Sequence, residues 1–376
     1  MTDRTVRTPA NVTYPDRSHG SALRTFAMGT PFRTPDRRRF GPLGSSWRTP
    51  GRSEVLKRID NQRIRTSTPR SRYTSKTAEE VLTEHTEVEQ HNIKELVGKV
   101  WHVFNLTPLY NFKENKSDLQ HYSRTLSSHI AAECKRGVFV DTSEPGDATV
   151  ALFSGLDVAA DDHKAVLIEI RGKARNKNED KVISQAVLFS TDLEYNPLKA
   201  EIKEEFTYFA CMLIRGPESV SQTLQNWIEV QFDCKVVKQT FTSHELAFMA
   251  AMFTGFSEVH KPLELVYKVP KEIEGLSHID YSTNASDCVR LWNKIRGTDS
   301  EIFTTEEANK FITGLESHFF EIYSIKLNAM QLLTIGTSIA FVGQDGRLKV
   351  HAKSPENVLK VCRHLTDVSV DRLTVC

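Results

Sequence analysis

Proline and arginine divide this chain before any hydrophobic period does. Seven of the fourteen prolines fall within residues 1–77. From Met1 to Lys76 there are seventeen Lys and Arg against five Asp and Glu, a net +12. The whole chain of 376 residues carries a net +1, so the remainder holds 32 basic against 43 acidic side chains, a net −11. A segment so poor in apolar residues cannot offset the entropy lost on ordering it, and proline interrupts helix and ladder alike. Residues 1–77 are therefore expected to form a disordered basic arm. Whatever folds must be built from residue 78 onward, and a hydrophobic content of 39% is enough to give that body a core.

The arm carries its own signals. Thr-Pro recurs at Thr8, Thr30, Thr34, Thr49 and Thr68, and three copies read Thr-Pro-x-Arg. That pattern resembles the substrate motif of proline-directed cell-cycle kinases and makes Thr30, Thr34 and Thr49 candidate phosphorylation sites. Each phosphate adds about −1.5 to −2 charge. Three would cancel roughly half of the arm's surplus, turning it into an electrostatic switch. Arg37, Arg38 and Arg39 are candidate DNA contacts through phosphate pairing, which is blind to sequence, and also suit nuclear import. The bland alternative is a solvated, inert tail. A mitochondrial transit peptide is a further alternative, opposed by the early acids Asp3 and Asp16 and by four prolines up to Pro35. The N-terminus has no apolar stretch suited to a signal peptide. The longest apolar runs, Leu246–Phe256 and Leu332–Val342, are too short to span a membrane.

The body reads as an alternation of helices and short strands. Helical spacing is expected over Asn92–Phe104, and again over Ser117–Arg136 through Leu119, Tyr122, Leu126 and Ile130, closed by Gly137. Strands are expected at Val138–Asp141, Thr149–Asp157, Ala165–Gly172 and Lys181–Ser190, with another inside 204–216. An exposed charged loop is expected at Lys173–Lys181. Further helices are placed at Ser219–Phe232, Ser243–Phe256, Ala285–Ile295, Thr305–Phe320 and Glu356–Leu365. Strands fill Leu263–Val269, Ile322–Leu327, Met330–Val342 and Arg347–Ala352, the last two joined by a Gly-Gln-Asp-Gly turn. Val368–Cys376 is expected to be a terminal strand on a sheet edge, open to pairing with another chain. The fold class is thus α+β, with mostly antiparallel sheets and flanking helices in two lobes, 78–240 and 241–376.

The search for chemistry finds no glycine-rich phosphate loop, no metalloprotease helix, no nucleophile elbow and no calcium loop. The six cysteines make no CxxC pair, so neither a metal centre nor a disulfide framework is expected. His244 and His318 lie near Glu245 and Glu316 on apolar helices and read as partly buried, hydrogen-bonded side chains. Asp161-Asp162-His163 reads as a solvated turn. No catalytic residue, cofactor or metal is expected.

A different kind of signal comes from blocks in fixed order. WHVFNLTPLYNF opens at Trp101 and leads to LQHYSRTLSSHIAAECKRG. Asn226-Trp227 runs on to Phe232-Asp233-Cys234, then AFMAAMFTG at 247–255, then SHFFEIYSIKLNAMQLLTIGTSIAFVGQDGRLKV at 317–350. Together they resemble the centromere protein L family of the vertebrate inner kinetochore. The likeness fades before about residue 90 and finds no counterpart for the loop at 173–181. It implies a non-enzymatic nuclear subunit of the constitutive centromere-associated network, located at the centromere and kinetochore. That subunit pairs with centromere protein N, which reads the CENP-A nucleosome, and contacts centromere protein C and the H/I/K/M group. Basic residues of the paired subunits line a DNA groove. Neither a membrane nor a small-molecule substrate is implied. The family's pairing surface lies in its C-terminal region, which here supports Val370, Leu373 and Val375, with Leu332 and Ile339, as partner contacts. The alternative is a stand-alone nuclear nucleic-acid-binding protein working through the arm.

Overall fold

The computed structural model describes residues 89–137, 145–159, 162–173, 180–193, 205–256, 261–296 and 303–375. The expected basic arm, the strand at 138–141 and most of the loop at 173–181 lie outside these residues. Among them, eleven strands form one sheet in the order β10-β9-β11-β12-β13-β1-β7-β5-β4-β3, with β8 pairing to β1 off this path. Every strand pairing in it is antiparallel. The strands are β1 Val100–Leu106, β3 Pro145–Leu152, β4 Val166–Lys173, β5 Asp180–Phe189, β7 Cys211–Arg215, β8 Val236–Lys238, β9 Leu263–Lys268, β10 His278–Thr283, β11 Gln331–Gly336, β12 Ala340–Gly343 and β13 Arg347–Val350. A small second sheet pairs β2, Leu109–Tyr110, with β6, Phe206–Thr207. The expectation of an α+β fold with mostly antiparallel pairing holds, and strands from either side of residue 240 share the large sheet.

Helices pack against both faces of the sheet around β1, β5 and β7. Helix α1, Lys116–Lys135, and helix α2, Glu218–Phe232, bury the predicted stripe Leu119, Tyr122, Leu126 and Ile130 together with Leu224, Trp227 and Ile228. These meet Phe104 and Leu106 of β1, Met212 and Ile214 of β7 and Ala186 and Leu188 of β5. The alternate residues of the same strands, Trp101, Val103, Leu213 and Val187, belong to a second core on the opposite face. That core also takes in α3 Ser243–Gly255, α4 Ala285–Arg296, α5 Thr305–Tyr323 and α6 Pro355–Val375. Thr242 with Glu245, and Thr304 with Glu307, close reciprocal capping boxes at the starts of α3 and α5.

Four local readings are corrected by the structure. The helix expected over Asn92–Phe104 is helical only through residue 95, and β1 follows. Gly98, at φ +76°, turns the chain, and a strand buried on both faces shows no alternation to distinguish it from a helix. Of the strand expected at Ile322–Leu327, Ile322 and Tyr323 end α5, which stops on a left-handed Ser324, and Leu327 opens a 3-10 turn. The run Met330–Val342 is two strands: Thr337 Oγ1 accepts from Ile339 N and Ala340 N, at 3.2 and 3.0 Å, and folds the chain back between them.

The largest correction concerns the terminal strand, because Val368–Val375 continues helix α6. Val358, Val361, Cys362, Leu365 and Val368 keep one helical stripe buried with no glycine or proline to end it, and this outweighs the β-branched composition. Tertiary bonds also fix the helix beneath the sheet. Thr366 Oγ1 accepts from Thr191 N at 3.1 Å, and Ser369 Oγ donates to Asn105 Oδ1 at 2.9 Å. Cys211 Sγ lies 3.2 Å from Leu365 O as donor. Arg372 donates to both oxygens of Glu245, at 2.8 and 3.0 Å.

Candidate functional site

The two ends of the large sheet are finished differently. At β3, Ala148 N donates to Ser127 Oγ and Val150 N to Ser123 Oγ, both at 2.9 Å. Serines of α1 thus occupy the outward donors of that edge, one of the ways a sheet avoids unwanted pairing. At the other end β10 pairs with β9 alone among the described residues. Ser277 O accepts from Val269 N at 3.1 Å, which sets the phase of the ladder. With the register Ile279↔Tyr267 and Tyr281↔Leu265, those residues direct their backbone groups at β9. His278, Asp280 and Ser282 therefore present theirs outward, as a template for an added strand.

An apolar surface flanks that open edge. Tyr281 of β10 stacks edge-on against Phe319, with centroids 5.1 Å apart, and Phe319 stacks on Tyr323 at 4.6 Å. Beyond them Phe320, Ile322, Tyr323 and Ile325 stand 38–42% exposed. Ile273 and Leu276, in the hairpin between β9 and β10, are exposed as well. Through Phe319, Tyr323 brings exposed aromatic surface next to Tyr281 and the open edge.

The second surface is a strand face. Along β13 and just beyond it, Arg347, Lys349, His351 and Lys353 alternate with the buried Leu348, Val350 and Ala352. Register sets Arg347 opposite His102, and Lys349 between Val100 and Phe341. Among the described residues this face of the sheet is open, with Val100 at 51% exposure. Burial first, and then Lys238, lowers the pKa of His102 against the opposite pull of Asp345 and Glu218, while burial, Lys261 and Lys349 lower that of His351. The alternation RLKVHAK was available in the sequence, but only the sheet shows that no helix among the described residues covers its basic side. β10 was missed altogether, although Ile279, Tyr281 and Thr283 alternate.

The residues proposed from sequence as partner contacts are not brought together at one surface. Leu332 and Ile339 are 2% and 3% exposed and belong to the chain's own core. Val370 and Leu373 are half-buried on α6, and Val375 is the last residue of that helix rather than an edge residue. Thr30, Thr34 and Thr49, with Arg37, Arg38 and Arg39, lie outside the described residues. Asp162 Oδ2 accepts from Val158, Ala159 and Asp192 N, binding two loops together, and His163 Nδ1 is 2.9 Å from Glu114 Oε1. His244 is exposed in the first turn of α3, not buried as expected. Among the described residues no group of three or more His, Cys, Asp or Glu could hold a metal. Burial pushes the Cys211 and Cys234 thiols up to about 12 and Cys288 up to about 11, so all three are protonated at neutral pH. A groove of about 430 Å³ between α1 and α2 holds Glu133 and Glu229, which are paired with Arg136 at 2.7 Å and Lys235 at 2.8 Å.

An antiparallel sheet with one edge capped by serines, one edge paired on a single side among the described residues, and a basic strand face define an α+β protein built on one large sheet. Residues 95–370 match the family model for Centromere protein L, and the chain belongs to that family. It is similar to Centromere protein L of Mus musculus, 32% identical over 271 residues, covering 70% of this chain and 80% of the relative. The Rattus norvegicus protein is 30% identical, over 76% of this chain and 82% of its own length. That of Xenopus tropicalis is 29% identical, over 74% and 80%. By family the chain counts among the centromere and kinetochore proteins.

Proposed function

We propose that this chain is a structural, non-enzymatic subunit of the inner kinetochore that works in the nucleus by pairing with centromere protein N through β10. The pair takes part in binding CENP-A nucleosomes and centromeric DNA, and contacts centromere protein C and the H/I/K/M group. The observation that carries the reading is the contrast between edges: β3 is occupied by serine hydroxyls, whereas β10 offers outward backbone groups beside exposed Tyr323, which Phe319 links to Tyr281. Main-chain pairing supplies affinity, and the apolar flank supplies the desolvated centre that an interface needs. The row Arg347, Lys349, His351 and Lys353 supports the DNA side of the reading, since alternating basic side chains on an open strand face can track phosphates.

Asp280→Pro tests it. Asp280 is exposed and its N–H points away from β9, so proline removes an outward donor while sparing the β9–β10 ladder. The full chain co-expressed with centromere protein N should elute as a 1:1 complex by size exclusion with light scattering. The variant should keep its thermal unfolding transition and elute apart from its partner. A variant that pairs like the unaltered chain overturns the β10 assignment.

A further inference from the structure

We infer that Ser277 is a phosphorylation site for an acidophilic serine/threonine kinase and that its phosphate gates the β10 edge. The inference rests on the pairing proposed above. Ser277 is exposed in the hairpin between β9 and β10, one residue before β10 begins. Gly275 lies at φ +83° in the loop 271–277, every residue of which is exposed, so the Ser277 hydroxyl is accessible to a kinase. The local sequence reads Glu272-Ile273-Glu274-Gly275-Leu276-Ser277-His278-Ile279-Asp280. It places an acid three residues after the serine and two acids shortly before it, the charge pattern acidophilic kinases read.

Among the described residues the same spacing of hydroxyl and acid recurs with its hydroxyl or its backbone committed, as at Ser154, whose Oγ accepts from Asn92 Nδ2 at 3.1 Å. At Thr242 and Thr304 it forms the capping boxes of α3 and α5. Thr191 is buried, and Thr313 lies in the middle of α5. Ser277 is exposed and its Oγ meets only its neighbour, 2.7 Å from His278 Nδ1, while its carbonyl accepts from Val269 N across the hairpin.

In the transfer, Ser277 Oγ attacks the γ-phosphorus of ATP. The new bond is Oγ–P, the bond broken joins that phosphorus to the β-phosphate, ADP leaves, and the hydroxyl proton passes to the kinase. The product adds close to two negative charges beside Asp280, whose carboxylate is 3.9 Å from His278 Nε2, and in a loop that already carries Glu272 and Glu274. It also stands next to Leu276, one of the exposed apolar residues a partner would cover. Covering that surface would strip water from a dianion among like charges, so the modified edge pairs less well.

Purified full chain is incubated with casein kinase 2, the type enzyme of this specificity, and ATP. Peptide mass mapping should place phosphate on Ser277, and Ser277→Ala should lose it. Binding to purified centromere protein N should then weaken about tenfold or more for the phosphorylated chain, with Ser277→Ala unchanged. Absence of phosphate at Ser277 overturns the site. Phosphate there with undiminished binding overturns the gating. If the unmodified chain does not bind centromere protein N, the pairing falls and the gating with it, and the peptide map shows which of the two has failed.

Discussion

His364 lies almost flat against Phe248, with centroids 5.4 Å apart and planes 19° from parallel, where α6 crosses α3. Burial holds its pKa down at about 4, and the nearby carboxylate of Glu245 offsets only part of that. In the unfolded chain a histidine titrates near ~6.5. As pH falls from about 6.5 to about 4, the unfolded chain therefore takes up a proton that the folded chain refuses, and stability is lost across that window. Glu245 adds a lower limb. Burial works against its charge, but hydrogen bonds from Arg372 and Thr242 prevail and hold its pKa below the ordinary carboxylate range. Its contribution is present above that range and disappears as pH falls through it. Replacing His364 with Phe should flatten the loss between pH 6.5 and 4 and leave the lower limb, as read by denaturant unfolding at a series of pH values. An unchanged slope would remove His364 as its source. Gly346 illustrates the same scale differently. It sits at φ +79° in the β12–β13 turn, where a Cβ would overlap Gln239 O, so the Gly-Gln-Asp-Gly motif reports a packing need as well as a turn.

Elements were legible where one physical signal dominated. The stripe of α1, the capping boxes of α3 and α5 and the hairpin before β13 follow directly from spacing and side-chain chemistry. β1 and the end of α6 were not legible, because the deciding partners are remote: β1 is sandwiched between two cores, and α6 is held by Asn105, Thr191 and Cys211. The role of Ser123 and Ser127 was equally hidden. On sequence they are two polar residues on the solvated side of a helix, yet they complete the hydrogen bonding of β3. Changing both to Ala should leave two strand donors without their partners and cost about 1–3 kcal/mol. It should also uncover the edge, so denaturation midpoints should fall and association at high concentration should rise. If both stay constant, those hydroxyls do not protect the edge.

At the scale of the molecule, the basic and apolar surfaces lie on different parts of the sheet, one along the face of β13 and one along the edge of β10. Their effects should therefore separate. Lys349→Glu with Lys353→Glu should weaken DNA binding by the assembled complex and reduce its salt slope by about 1 per lost phosphate contact. Pairing with centromere protein N should remain as for the unaltered chain. A charge reversal that leaves the salt slope unchanged takes DNA away from this face. Net charge alone could not have located it, because the body from residue 77 on is acidic overall and the basic residues are concentrated by strand alternation.

The anchoring of α6 has a consequence for the order in which the protein can be made. Thr191 bonds to a residue 175 positions later, and Asn105 to one 264 positions later. At a synthesis rate of ~5–20 residues per second, the strand ending near Thr191 waits roughly 10–35 s before its partner on α6 exists. Until then the underside of β1, β5 and β7 lacks the cover that α6 gives, and the exposed apolar surface leaves the nascent chain dependent on chaperones or the ribosome. Nascent chains halted before residue 355 lack this cover, which makes them substrates for quality control rather than shortened but working subunits.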